Sequence, residues 1–199
     1  MPIEPCDAVI CTVPTPFVST LAPDLPQASK DAYDAILNIG VVCVIHKLKR
    51  PVTPHFWVNI VDPDIAIPGI IEFSNLRPMD ETIVYVPYYM PPDAPRWTRA
   101  DQDLIDESFA YLQKLNPKIA HSDRIDSRVA RLRYAQPMCP PGFAAQIPPV
   151  RTPIKGLQVA DTCFYYPEDR GVSEGARLAL EMAKAIGTDH IPRREPVFN

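Results

Sequence analysis

Residues 156–186 read GLQVADTCFYYPEDRGVSEGARLALEMAKAI, and the fold turns on how this run is parsed. A short apolar strand over 157–160 ends in Asp161 and Thr162, the chain crosses CFYYPEDR, and Gly171 precedes a stretch rich in alanine, leucine and glutamate. That order predicts strand, turn and helix, with the helix beginning near Val172 or Ser173. The first turn of a helix leaves backbone N–H groups unpaired, and the macrodipole adds about half a positive charge there. A ligand bearing negative charge is therefore favoured at that point. Gly171 offers no Cβ to obstruct it, and Ala176, Ala179 and Ala183 are expected to bring the helix close to a sheet. The same residues also suit an ordinary strand–turn–helix with Asp169 or Ser173 as a cap, so residue types alone leave the ligand open.

Working outward, GLQVADT follows the loop CPPGFAAQIPPVRTPIK, and before that loop SRVARLRYAQP (127–137) alternates arginines with small or apolar residues. This predicts a strand whose wetter face carries Arg131 and Arg133, both expected to be solvated. TRADQDLIDESFAYLQKL (98–115) places Leu104, Ile105, Phe109, Leu112 and Leu115 at helical spacing, with Thr98 as the expected N-cap and Asp101 three residues on. Four β-like runs precede it, at 41–48, 55–61, 69–74 and 81–89, separated by Pro51, Pro63, Pro68 and Pro78. An antiparallel or mixed sheet follows. ASKDAYDAILNI is read as a helix capped by Ser29, burying Ala32, Ala35, Ile36 and Ile39 and stopped by Gly40. DAVICTV (7–13) is expected to be a strand buried on both faces of a parallel sheet. The end of the chain, TDHIPRREPVFN, is read as an irregular tail.

Composition narrows the function. A 199-residue chain with 46% hydrophobic and 22% charged residues can bury a substantial core. Its net charge of −4 and lack of Lys/Arg clusters argue against a nucleic-acid partner. Five cysteines without CxxC spacing suit reduced thiols and a cytoplasmic location. His46, His55, His121 and His190 show no HxxxH or HExxH pairing, so no metal site is expected. The N-terminal apolar run is short and bounded by prolines, which predicts neither signal peptide nor membrane span.

The run GLQVADTCFYYPEDRGVSEGARLALEMA resembles the C-terminal flavin-binding segment of the FAD-dependent amine oxidase and protoporphyrinogen oxidase superfamily, near its UDP-galactopyranose mutase-like branch. YPEDRG is the core of the match. DAVICTVPTPFVSTLAPDLP is similar to that family's strand returning to the FAD domain, and YDAILNIGVVCVIHKLKRPV to the entry of its substrate domain. The resemblance implies FAD as cofactor. It places Asp161 and Thr162 where the family has Gly followed by an acid that bonds the ribityl or pyrophosphate region. Gly171, Val172 and Ser173 match the helix start facing the flavin pyrimidine edge, and Asp169 and Arg170 match the turn before it. Trp57, Tyr88 and Tyr89, on predicted strands, are the candidate substrate contacts, although aromatics at such positions more often pack in a core.

In that family an N-terminal βαβ unit with a G-x-G-x-x-G fingerprint holds the pyrophosphate. The seven glycines of this chain contain no such pattern. The expectation is an α+β protein: residues 1–25 and 144–189 as a partial, Rossmann-like FAD-binding domain, 26–143 as a mixed-sheet substrate domain, and 190–199 as a tail. Its function would be that of the substrate-binding and flavin-capping part of an oxidoreductase. The missing half, on a longer chain or a partner subunit, is the expected partner, and exposed strand edges at AVICTV and LQVA predict a homodimer. The alternative is a non-catalytic binding module that keeps the substrate-domain fold without flavin.

Overall fold

A computed structural model describes residues 6–169 and 171–186. Along the chain run β1 (Val9–Cys11), the short helix α1 (Val18–Leu21), α2 (Gln27–Asp34), β2 (Asn38–Leu48), β3 (Trp57–Asn59), β4 (Gly69–Glu72), β5 (Thr82–Met90), α3 (Asp101–Leu115), β6 (Arg124–Pro137), β7 (Leu157–Val159) and α4 (Val172–Lys184). They form two compact units. Unit 1 takes the chain up to Asn38 and from Gln136 onward, and unit 2 is Ile39–Ala135. The architecture is α+β, with a parallel pair in unit 1 and a largely antiparallel sheet in unit 2.

Unit 2 carries a five-stranded sheet in the order β3-β4-β5-β2-β6. Its strands alternate as a sheet with one covered face must: in β2, Val42, Val44, His46 and Leu48 are buried while Val41, Cys43, Ile45 and Lys47 are not. The covered side packs on α3 through Leu104, Phe109 and Leu112, together with Val84, Val86, Tyr88 and Met90 of β5. Thr98 does not cap α3. Its hydroxyl bonds the Pro95 carbonyl, and Ala100 occupies the N-cap with no side-chain bond. The first turn is stabilised instead by Asp101 and Asp103 at the positive end of the dipole. Arg131 is exposed, as expected of the wetter face, but it is also engaged. It donates to Asp101 at 2.6 Å and to the carbonyls of Trp97 and Arg99 at 3.0 and 2.8 Å, fixing the approach to α3. Arg133 is exposed and lies over the Tyr134 ring.

Two further expectations are corrected. α2 has Pro26 at its N-cap position rather than a capping Ser29, and it buries Tyr33, with Ile36 just beyond its end. Gly40 does not stop this helix, because the chain is already in β2 at Asn38. Its lack of a side chain admits Trp97, since a Cβ there would lie 2.6 Å from the indole ring.

Within the covered face His46 is fully buried and bridges two elements. Nε2 lies 2.8 Å from Ser108 Oγ on α3, and Nδ1 lies 2.8 Å from Ser127 Oγ on β6. Ser108 uses its proton on the Ile105 carbonyl, so Nε2–H donates to Ser108 and Nδ1 accepts from Ser127. This is a neutral imidazole. Burial, and then the nearby Arg124 charge, push its pKa from 6.5 down to about 4. An unfolded imidazole takes up a proton near 6.5 and the folded one only near 4, so its contribution is full above 6.5 and disappears as pH falls toward 4. The loss is on the order of 3 kcal/mol. Urea denaturation at neutral and acid pH should show this drop in the native chain and a shallower one in His46→Gln; equal slopes would contradict the assignment.

Unit 1 contains the parallel pair β1–β7, with Val9 opposite Leu157, Ile10 opposite Gln158 and Cys11 opposite Val159. The parallel pairing is as expected, but β1 is not buried on both faces. Val9 is 46% exposed and Ile10 36%, because among the described residues this sheet has two strands. The LQVA edge is not exposed as expected: Val159 N–H donates to the Val150 carbonyl at 2.8 Å and Thr152 N–H to the Leu157 carbonyl at 3.1 Å. The unit packs around Val18, Leu25, Tyr33 and Val159, with Phe164 also touching the groups around Phe143 and Leu178.

Candidate functional site

Asp161 follows β7 and accepts two backbone hydrogen bonds, from Cys163 N–H at 2.8 Å and from Thr15 N–H at 2.8 Å. The first caps a 3-10 turn over Thr162–Tyr165. The second ties that turn to the segment leaving β1. Cys163 is buried, and burial followed by the neighbouring Asp161 charge raises its pKa, so the thiol stays protonated. Thr15 is also fully buried, and its hydroxyl has no hydrogen-bond partner among the described residues. A ligand hydroxyl or a water would satisfy it.

The turn runs on through a cis Tyr166–Pro167 bond to Gly171, the N-cap of α4. Gly171 is extended and provides no side-chain cap, and a Cβ there would meet nothing closer than the Asp169 carbonyl at 3.9 Å. Val172 is 92% exposed. Glu174, the acid of the first turn, is held by Arg177 at 2.9 Å, and Arg177 also reaches Glu181 at 2.7 Å. Gly171 thus contributes no side chain at the helix start, where backbone amides can serve a ligand.

The opposite flank of α4 is seated on β7. Leu178 and Met182 pack with Ala160, and Gln158 Nε2 donates to the Met182 carbonyl at 3.2 Å. The alanines do not make this contact. Ala176, Ala179 and Ala183 are exposed, because the larger apolar residues at 178 and 182 take the buried stripe and turn the alanines outward.

Of the residues singled out from sequence, the structure gathers Asp161 and Thr162 at the exit of β7 and Gly171, Val172 and Ser173 at the start of α4. Asp169 precedes them, and Arg170 lies outside the described residues. Trp57, Tyr88 and Tyr89 do not form one surface. Tyr88 and Tyr89 are consecutive in β5 and face opposite sides. Tyr88 is 2% exposed in the covered core, under the Arg96 guanidinium, and burial raises its pKa. Tyr89 and Trp57 are on the open side. There the register aligns Trp57, Ile71, Tyr85 and Ile45 in one row across four strands. Tyr85, which packs edge-on against Phe73, was missed in the sequence; the period of two along TIVYVPYYM groups it with Tyr89 and excludes Tyr88. Thr15 carried no signal of its own in the sequence.

Among the described residues no group of three or more His, Cys, Asp or Glu could hold a metal, and no helix is long and apolar enough to cross a membrane.

Residues 2–165 match the model for flavin containing amine oxidoreductases, and the chain belongs to that family. No curated protein matches it significantly. Among solved structures it is similar to a candidate protoporphyrinogen oxidase from Exiguobacterium sp. 255-15, with TM-score 0.66 and 16% identity over 93% of this chain and 42% of that one. An oxidoreductase from Methanosarcina mazei aligns with TM-score 0.58 and 14% identity over 80% of this chain and 38% of that one. A reduced UDP-galactopyranose mutase aligns with TM-score 0.51 and 12% identity, over 70% and 32%. At these identities the likeness is one of fold, and the chain spans less than half the length of each of these structures.

Asp161→Ala leaves two backbone amides unpaired, one of them on the fully buried Thr15. The expected cost is about 2–4 kcal/mol, with Asp161→Asn losing less. Amide exchange at Thr15 and Cys163 should accelerate in the alanine variant; unchanged exchange at both would exclude this bracing role.

Proposed function

We propose that this member of the flavin containing amine oxidoreductases supplies the flavin-capping and substrate-facing parts of an FAD-dependent oxidoreductase. The observation that carries this reading is the start of α4. Its N-cap is Gly171, which brings no side chain, and Val172 stands 92% exposed, at the position of the YPEDRG motif whose family role is to face the flavin. The amides of Val172 and Ser173 would hold the electron-rich edge of the ring, where the helix dipole stabilises negative charge. Asp161 and Thr162 set the turn that delivers this helix. Both Asp161 oxygens already accept an amide, so toward a ribityl hydroxyl only their remaining lone pairs are free. The unpartnered Thr15 hydroxyl is a further polar group for that chain. Asp169 and Arg170 are proposed to shape the turn.

When bound, the flavin supplies the electron-accepting centre for oxidation of a C–N or C–C bond. This chain's residues bind and orient. The open sheet face offers Trp57, Tyr85 and Tyr89 for substrate, and Tyr88 acts from the core by fixing β5 against α3. The remaining cofactor contacts are assigned to a G-x-G-x-x-G βαβ unit on a further polypeptide segment, the missing half of the site. A non-catalytic module is the second reading, favoured by the absence of that fingerprint from this chain.

Gly171→Asp separates ligand binding from helix stability. The backbone at Gly171 is already extended and has room for a side chain, so Asp should cap the helix and stabilise the chain by a few tenths of a kcal/mol. Its carboxylate would occupy the amides that the flavin requires. FAD titration should follow visible absorbance and the thermal midpoint, for the chain alone and fused to the part of the Exiguobacterium chain outside the match. FAD is expected to bind the native fusion and to be weakened by Gly171→Asp. A fusion that stays colourless, or binds FAD equally well with Gly171→Asp, would favour the module reading.

A further inference from the structure

The open face of unit 2 ends in a strand with a short ladder. β3 has three residues and stands at the end of the sheet, beside β4. A strand of that length at an edge frays unless something besides its ladder holds it. It nevertheless carries Trp57, 56% exposed, whose indole Nε1–H donates to Asn59 Oδ1 at 2.8 Å.

The loop that leads into β3, residues 51–56, is fastened to one side chain. Glu72, at the end of β4, is fully buried. Its Oε1 accepts from Val52 N–H at 3.1 Å and its Oε2 from Thr53 N–H at 2.8 Å, with the Thr53 hydroxyl 3.4 Å from Oε2. The Glu72 N–H donates to the Phe56 carbonyl at 2.8 Å, so a single residue grips the loop at both ends. Asn75 ties it from the solvent side, donating through Nδ2 to the carbonyls of Thr53 and His55 at 2.9 and 3.0 Å. Both Glu72 oxygens accept from amides, as an ionised carboxylate does. Burial pushes its pKa up, and the amides of Thr53 and Val52 act against that. A buried carboxylate is a costly way to fill a core position, and what this one gains is the loop. His46 and Ser108, buried in the same core, brace α3 and β6 instead.

We infer that Glu72 is the positioning residue of the open face: through the 51–56 loop its carboxylate fixes where β3 starts, and so where the Trp57 ring stands. The inference rests on the reading of that face as the substrate side for its functional meaning, but it can fail separately. Glu72 itself meets no ligand there, because its side chain is on the covered side of β4 and Trp57 is on the open one.

In the native chain the Val52 and Thr53 amides should be as protected from exchange as those of the β4–β5 ladder, although they lie in a loop. Fast exchange at both overturns the inference without any variant. Fluorotryptophan labelling gives one fluorine resonance for each of the two tryptophans, Trp57 and Trp97, assigned by Trp57→Phe. Glu72→Gln keeps the size of the side chain but turns an NH2 group toward a backbone N–H. Exchange at Val52 or Thr53 should then accelerate on the order of tenfold. The Trp57 resonance should shift or broaden while that of Trp97, packed at Gly40, stays in place. A general loss of stability would move both, and that result overturns the inference, as does an unmoved Trp57. Should Glu72→Gln not fold, Glu72→Asp, which keeps the charge and loses the reach, is expected to give the same selective shift; no shift there overturns it equally. Nile red, a planar uncharged dye, is added to the labelled native chain as the probe of the face. Binding that leaves Trp57 unmoved would remove the substrate reading and leave the role of Glu72; a Trp57 that answers to the dye but not to Glu72→Gln would do the reverse.

Discussion

The carboxylate of Asp161 bonds an amide 146 residues away, at Thr15, and unit 1 depends on that closure. The two ends of the chain are separated in sequence by the whole of unit 2, so β1 and β7 meet only after that insertion has been made. Loop closure over such a span is costly and is repaid by few contacts here: a short parallel ladder and the packing of Val18, Leu25, Tyr33 and Val159. A charge-assisted bond to two backbone amides is among the stronger polar interactions available for this purpose. It fixes the exit of β1 and the turn after β7 together. The position of the α4 N-terminus follows from that turn.

Unit 2 has a different basis. Its sheet buries one face against α3, and strand alternation then decides the environment of the side chains in β2 and of most in β5. His46 and Tyr88 fall on the covered side, where a polar group needs a partner, and His46 finds two in Ser108 and Ser127. Ile45, Tyr85 and Tyr89 fall on the other side and are not buried. A shift of one residue in register would exchange these two sets completely. The buried histidine and the open aromatic row are therefore products of the same register.

Much of this was legible in the sequence because its signals are local. The four β-like runs and the α3 periodicity need only a period of two or of 3.6, and the strand–turn–helix at 156–186 is punctuated by Asp161 and Gly171. What was not legible depends on distant partners. Arg131 looks like a solvated arginine until Asp101 and the carbonyls before α3 are brought to it. Gly40 looks like a helix stop, but its smallness serves a tryptophan 57 positions later in the sequence. Thr98 has the right residue type for a cap and stands two residues too early. The separation of Tyr88 from Tyr89 was within reach of the sequence, since neighbours in a strand cannot share a face.

The alanines of α4 show why composition misleads about orientation. Ala176, Ala179 and Ala183 share one stripe, and small residues on a stripe suggest close packing against a sheet. Leu178 and Met182 define another stripe, offset from the first, and in unit 1 that one is buried. Burial scales with apolar area, so when the unit has room for only one flank of the helix, the larger side chains take it. The alanines and Val172, Leu180 and Ile186 are then apolar and exposed. A helix apolar on more than one flank is suited to lie between two layers. The structure provides one of those layers, β7 with its turn.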